Sequence, residues 1–493
     1  MRESIAEVSR SMWNEINDNR LFMVLMMGVM ALFISNPYII PLIDIPIRRV
    51  EDFLKIPYMI SILTVLLLVL FSFVTVFFAR LSPYERDRIL VTYFFATPFI
   101  VALSKTAFHP TLTCIILMFL VIYCRSAFSG RIDLVWSPMY LLIPLLPISI
   151  MLSSLGPFAR NWFGTIESNV AAYYLPCVIV INLVRTRVHL EMCLKTLFVL
   201  SVLSSIVGVS QFIIYETTGI LTTFTEPLFQ FRATPIGVLP RVTGFESYPD
   251  IYGAVSAIMG VMMFYFYLHP EHLTAKERKF CLYGFILNLM AATLTISRGT
   301  WLGMALVFMI IPIMKRPQYL IHYLAVVLII VVIGFVSGGF EAGYRIMDEM
   351  GREGASLRFR GALNAIAYDG IKRFPIFGVG INGFIYYNNA FNNVVHNFWL
   401  RVLVEMGLVG LVFHLAFLLV LTLRLVDRMI QSHGRERMVL EAFFLGMTIF
   451  WFLTNFQPTY SSKFYWFYFG LVEASVLILG RRDGDQKFLP FFA

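Results

Sequence analysis

The stretch from Val394 to Val426 reads "VVHNFWLRVLVEMGLVGLVFHLAFLLVLTLRLV" and decides the fold. From Val404 onward it stays apolar for longer than the roughly 20 residues that cross the hydrocarbon of a bilayer. It nevertheless opens on three ionisable side chains, His396, Arg401 and Glu405. Such a segment reads as a membrane span whose first turns stand at the membrane surface, where charge can reach water or a partner.

Composition says the same of the whole chain. It has 493 residues, 58% hydrophobic and only 14% charged, and a mean hydropathy of +0.76. Soluble domains carry about a quarter charged residues. So apolar a chain cannot hide its surface in one water-soluble core, and most of it must face lipid. The net charge of +9 does not point to nucleic acid, because the basic residues sit in short segments between apolar runs and form no continuous tract. Cys114, Cys124, Cys177, Cys193 and Cys281 fall in or beside apolar runs, without metal-ligand spacing, and read as buried small hydrophobes.

The fold expected is an all-α polytopic membrane protein. Candidate spans lie near 21–42, 57–79, 89–107, 110–124, 136–153, 169–184, 192–215, 250–268, 280–297, 299–314, 318–337, 404–426, 437–457 and 462–479. Some are short or broken by proline, which gives about 12–14 transmembrane helices. Residues 1–20 carry Ile5, Val8, Met12 and Ile16 at helical spacing among charges and read as a cytoplasmic interfacial segment. With the N-terminus inside, the inside segments collect most of the basic residues, among them Arg80, Arg86, Arg88, Lys276, Arg278, Lys279, Lys315, Arg316, Arg428 and Arg435. The short outside segments hold few, which fits the positive-inside rule and puts both termini in the cytoplasm. The organisation expected is therefore membrane helices over 21–337 with an outside loop at about 216–249, a large, partly helical outside loop over 338–403, C-terminal membrane helices over 404–479 and a cytoplasmic tail over 480–493. In the large loop, "RFRGALNAIAYDGIKRF" (358–374) places Leu363, Ile366, Ile371 and Phe374 on one helical face, and Pro375 stops the helix.

Four residues on the outside stand out: Arg241, Arg298, Arg360 and His396. Arg298 lies between two apolar runs with almost no loop and no acidic neighbour in sequence. A charge there needs a partner, either a carboxylate such as Glu246 or an anionic ligand. The planar fork of arginine suits phosphate, and three arginines on one side point to a lipid-linked phosphate or pyrophosphate. For a regular helix through His396, about 100° per residue puts His396, Leu400, Leu403 and Gly407 on one face and Glu405 on the opposite one. Arg401 and Glu405, four apart, are expected to pair with each other. That leaves His396 as a histidine held by hydrogen bonds or as a general base. "GVGING" (378–383) fits a dinucleotide-binding pattern but has no strand–helix context. Its glycines read as a tight turn that brings backbone close to the membrane or a ligand.

Four motifs in order resemble the O-antigen ligase and O-antigen polymerase superfamily of bacterial membrane glycosyltransferases, a GT-C class. They are "RVTGFESYPDIYGA" (241–254), "SRGTWLG" (297–303), "RGALNAIAYDGIKRFPIFGVGINGF" (360–384) and "HNFWLRVLVEMGLVGL" (396–411). The chain departs from the family pattern at Asp250, where asparagine is common, and at Asn364, where tryptophan is common. The resemblance implies transfer of a glycan from undecaprenyl pyrophosphate to an acceptor hydroxyl, on a periplasmic face of the bacterial inner membrane, without metal or other cofactor. The acceptor would be lipid A–core, another glycan (as in polysaccharide polymerisation) or a protein. Arg241, Arg298 and Arg360 would then hold the pyrophosphate and His396 would be the base. A single displacement would invert the anomeric centre. Two other classes are weighed: a flippase or transporter of lipid-linked oligosaccharide, which would place charges along a pathway in repeated halves, and a non-catalytic polysaccharide-assembly protein, which would tolerate loss of His396. The arginines gather on one side and no repeat is visible, which favours the transferase.

Overall fold

The computed structural model describes residues 135–220, 231–234, 237–246, 248–315, 352–389, 393–457 and 462–479. The chain divides into two compact units, Met1–Val135 and Trp136–Ala493. The interfacial segment, the spans expected at 21–42, 57–79, 89–107, 110–124 and 318–337, Cys114, Cys124 and the C-terminal tail lie outside the described residues.

The second unit is helical. In chain order it comprises α1 (Met139–Leu142), α2 (Leu145–Ser153), α3 (Trp162–Asn169), a π turn (Val170–Tyr174), α4 (Leu175–Leu183) and α5 (Arg187–Thr218). A two-stranded antiparallel ribbon follows, β1 (Phe231–Thr234) and β2 (Gly237–Pro240), with Phe231 opposite Pro240. Then come α6 (Pro249–Tyr267), a 3-10 turn (Pro270–His272), α7 (Ala275–Leu294), α8 (Arg298–Lys315), α9 (Arg352–Arg373), α10 (Phe384–Asn388), α11 (Phe398–Gln431), α12 (Gly434–Leu453) and α13 (Lys463–Ile478). Among the described residues, α5, α6, α8 and α11 are long and apolar enough to cross a membrane. The protein is thus an all-α polytopic membrane protein, and the helices agree with the expected spans to within a few residues at most ends.

Local chemistry fixes several of those ends. Thr186 caps α5 through the His189 N–H, and Gly219 closes it at φ 71, the left-handed conformation glycine adopts without strain. Thr274 and Glu277 form a reciprocal capping box at the start of α7. Cys177, Cys193 and Cys281 are buried free thiols, as expected.

The core is built around α6. It is 78% buried over its apolar window, against 28–39% for α5, α8 and α11, so protein surrounds it where the others leave a face for lipid. It packs against α7, α8 and α12. Charges within the apolar layers are matched: Arg424 grips Glu473 through two bonds of 2.7 and 3.1 Å, and Ser137 adds a third at 2.7 Å. Glu473 is fully buried, and breaking such a pair leaves an uncompensated buried charge at a cost of about 3–5 kcal/mol.

The segment quoted at the outset departs from a regular helix in two places. First, α11 begins at Phe398, capped by the Asn397 side chain, which accepts from Leu400 N–H at 2.9 Å. His396 precedes the helix, so it shares no helical face with Leu400, Leu403 or Gly407. Second, Gly407 adopts φ 66 and ψ −165 and kinks the helix. Leu408 and Val409 N–H groups, which a straight helix would aim at Val404 and Glu405, donate instead to Pro375 O at 2.8 Å and Ile376 O at 3.3 Å. In return, Val379 and Gly380 N–H groups donate to Val404 O at 2.8 Å and Glu405 O at 3.1 Å. Two lost helix bonds are replaced by four from the glycine turn, in a setting where each orphaned backbone group costs several kcal/mol.

The turn needs its glycines for that approach. A Cβ on Gly378, at φ 74, would lie 2.5 Å from the Glu405 carbonyl carbon, and one on Gly407 would lie 2.2 Å from Ile376 O. "GVGING" is therefore a tight turn, as read, but the backbone it approaches is the protein's own. Beside it, α9 starts at Arg352, earlier than the stretch 358–374 suggests, which puts Arg360 in the helix interior. The expected apolar face is present: Leu363 joins Val379, Phe384, Val395, Leu400 and Val404 in one cluster, with Ile366, Ile371 and Phe374 against it.

Candidate active site

The residues singled out by sequence stand at one end of the bundle. Asp250 is in the first turn of α6 and Arg298 is the first residue of α8. His396 lies just ahead of α11. The turn Thr454–Gln457 after α12 ties these ends together. Thr454 O accepts from Phe398 N–H at 2.8 Å, and Asn455 O accepts from the Asn397 amide at 3.2 Å. On its other side Gln457 donates to Asp250 O at 3.4 Å. Gly299, next to Arg298, also faces this turn: a Cβ there would lie 3.5 Å from Phe456. Nothing in the sequence of 454–457 announces this role, because its partners are far away in the chain.

Arg241 is 7% exposed. Its Nε donates to Thr295 O at 2.8 Å and its Nη2 to Asp250 at 2.7 Å. The arginine is thereby fixed between the loop ahead of α6 and the turn ahead of α8, and it aims the half-exposed Asp250 carboxylate. Asp250 had drawn notice in the sequence only as a departure from a family pattern; its partnership with Arg241 was not legible, since the loop between them has no regular spacing.

The His396 imidazole is half-buried, and among the described residues its ring makes no hydrogen bond. Burial pushes its pKa below the ordinary histidine range, Arg360 pushes it the same way, Asp250 opposes, and Arg401 adds a smaller downward push. His396 is thus held neutral, within the field of Arg360 and Asp250. The expected pair of Arg401 with Glu405 is present at 3.4 Å, with Glu405 1% exposed. Glu246 and Lys463 attract each other electrostatically. Arg241, His396 and Asp250 are thus linked through bonds or fields, Arg360 joins through His396, and Arg298 stands at the same helix ends.

His396, with its pKa lowered by burial, Arg360 and Arg401, thus stands with these charged groups at one end of the helix bundle. Residues 283–415 match the family model described as O-antigen ligase. Over these residues, about a quarter of the chain, the protein is similar to the O-antigen ligase and polymerase superfamily, whose members are glycosyltransferase-type enzymes. The match takes in Arg298, Arg360, His396, Arg401 and Glu405, and leaves Arg241 and Asp250 ahead of it. No curated protein matches the chain.

Proposed function

We propose that the protein transfers a glycan from an undecaprenyl-pyrophosphate donor to an acceptor hydroxyl, at the periplasmic face of the bacterial inner membrane. The observation that carries this reading is the neutral His396 in the field of Arg360 and Asp250. As the acceptor oxygen bonds to the anomeric carbon, its proton passes to the imidazole. The bond from that carbon to the pyrophosphate oxygen breaks, and the electron pair leaves with the pyrophosphate. Arg298 and Arg360 meet that growing charge. Arg241, already bonded to Asp250 and Thr295, adds positive field and holds Asp250 in place. A single displacement of this kind inverts the anomeric centre. No step calls for a metal ion. The acceptor is lipid A–core, a second glycan or a protein.

The test uses the purified full-length chain with a lipid-linked glycan and candidate acceptors. Wild type is expected to form the transferred product, with or without chelator. His396→Ala, folded as judged by its thermal transition, is expected to lose it. Normal turnover by folded His396→Ala overturns the base. Loss of product on chelation overturns the metal-free route, and movement of glycan across the bilayer without transfer overturns the transferase in favour of a transporter.

A further inference from the structure

The opposite ends of α6, α8 and α12 line an open cavity of about 420 Å³. With a rise of 1.5 Å per residue, Lys315 stands about 26 Å along α8 from Arg298, so this cavity belongs to the other end of the helices. Its volume lies within the range of small-ligand sites. Lys315 Nζ donates to Leu268 O at 2.7 Å, a contact that orients the ammonium without neutralising it. Arg437 gives its Nε to Glu441 at 2.8 Å and stays half-exposed. Glu441 is buried and also accepts the Tyr265 hydroxyl. That acid is therefore consumed behind the arginine. Glu271 is different: its side chain is exposed at the rim, 3.9 Å from His272.

Two further observations fit a phosphate. The N-cap of α12, His433, makes no side-chain cap bond, and Gly434 from the first turn lines the cavity. The first N–H groups of a helix attract anions. Two cations, Lys315 and Arg437, share the cavity with two carboxylates, Glu271 and Glu441. Both signs of charge are open to a ligand here: Lys315, Arg437 and Glu271 are all exposed, and Glu271 attracts Lys315 without forming an ion pair with it. A ligand that matches this carries one phosphate and one ammonium. Helix ends at a bilayer surface meet such a group in the lipid itself.

We propose that this cavity binds the headgroup of a zwitterionic phospholipid, its phosphate against Lys315 and Arg437 and its ammonium against Glu271. The site is independent of the transfer reaction. The full-length protein in detergent is titrated with mixed micelles of phosphatidylethanolamine, of phosphatidylglycerol, or with inorganic phosphate, and the thermal transition and bound lipid are read. Phosphatidylethanolamine is expected to raise the transition at concentrations where the other two do not. Lys315→Gln is expected to weaken binding about tenfold, as loss of a charge-assisted bond does, and Lys315→Arg to restore it. Glu271→Gln is expected to remove the preference for phosphatidylethanolamine. Equal response to both lipids in wild type overturns the proposal, as does response to inorganic phosphate alone. An unchanged preference in Glu271→Gln overturns it even if the Lys315 variants fail to fold.

Discussion

The two ends of α6, α8 and α12 carry similar residue types arranged to opposite effect. At the His396 end, Arg241, Arg298, Arg360 and Lys463 stand with Asp250 and Glu246, so cations are in excess. At the far end, Lys315 and Arg437 are balanced by Glu271 and Glu441. The first end presents a field that favours a ligand with more than one negative charge, the second a ligand with none in total. The comparison teaches that the count of arginines says little until their carboxylates are located. Arg437 is half-spent on Glu441, and Arg241 on Asp250.

The largest expected effect falls on His396, the proposed base. His396→Ala should lower turnover by about 10²–10⁴-fold, the usual contribution of general base catalysis, measured with saturating donor. Next, Arg360→Ala and Arg298→Ala should each reduce turnover by about 10²-fold, the loss of one electrostatic stabiliser; unchanged kinetics would remove the excess of charge from the mechanism. Arg360→Ala should do something Arg298→Ala does not. A base works when unprotonated, so activity is present above the His396 pKa and is lost as pH falls through it, below the ordinary histidine value of about 6.5. Arg360 is one of the groups that depress that pKa, and its removal should move the acid limb toward neutral pH. Asp250→Asn should move the limb the other way, to lower pH, because Asp250 is the group that holds the pKa up. A pH–rate profile that ignores both substitutions would separate His396 from the chemistry. The smallest effect is expected from Lys315→Gln, which should leave transfer at wild-type rates in detergent; a large loss would join the two ends that the charge balance separates.

Much of the fold was legible because lipid imposes a simple code. Arg187–Thr218, Pro249–Tyr267 and Arg298–Lys315 are long and apolar, and apolar length alone finds them. The start of α11 carried a local signal as well, since Asn397 is a strong N-cap residue; reading the apolar run backward through His396 passed over it. The kink at Gly407 had no local signal, because its energetics depend on carbonyls at Pro375 and Ile376. The short ribbon of Phe231–Thr234 and Gly237–Pro240 is likewise a pairing event, with no alternation in the second four-residue strand, "GVLP", to announce it. In the candidate site, residue types single out Arg241, Arg298, Arg360 and His396 as proposals, while the Asp250 partnership and the Thr454–Gln457 tether arise only from tertiary packing.

The exchange of backbone bonds at Gly407 also sets an order of assembly. The turn at 375–380 leaves the ribosome before α11 does, and neither can satisfy its amides alone. The first turns of α11 and the rest of that helix are joined across the Gly407 kink through this turn, which supplies two carbonyl acceptors and two N–H donors to them. The unit that matures is therefore the turn together with the bent helix. A shift of one residue in either strand of this joint would misalign all four bonds at once, which makes the segments 375–380 and 404–409 a single heritable length.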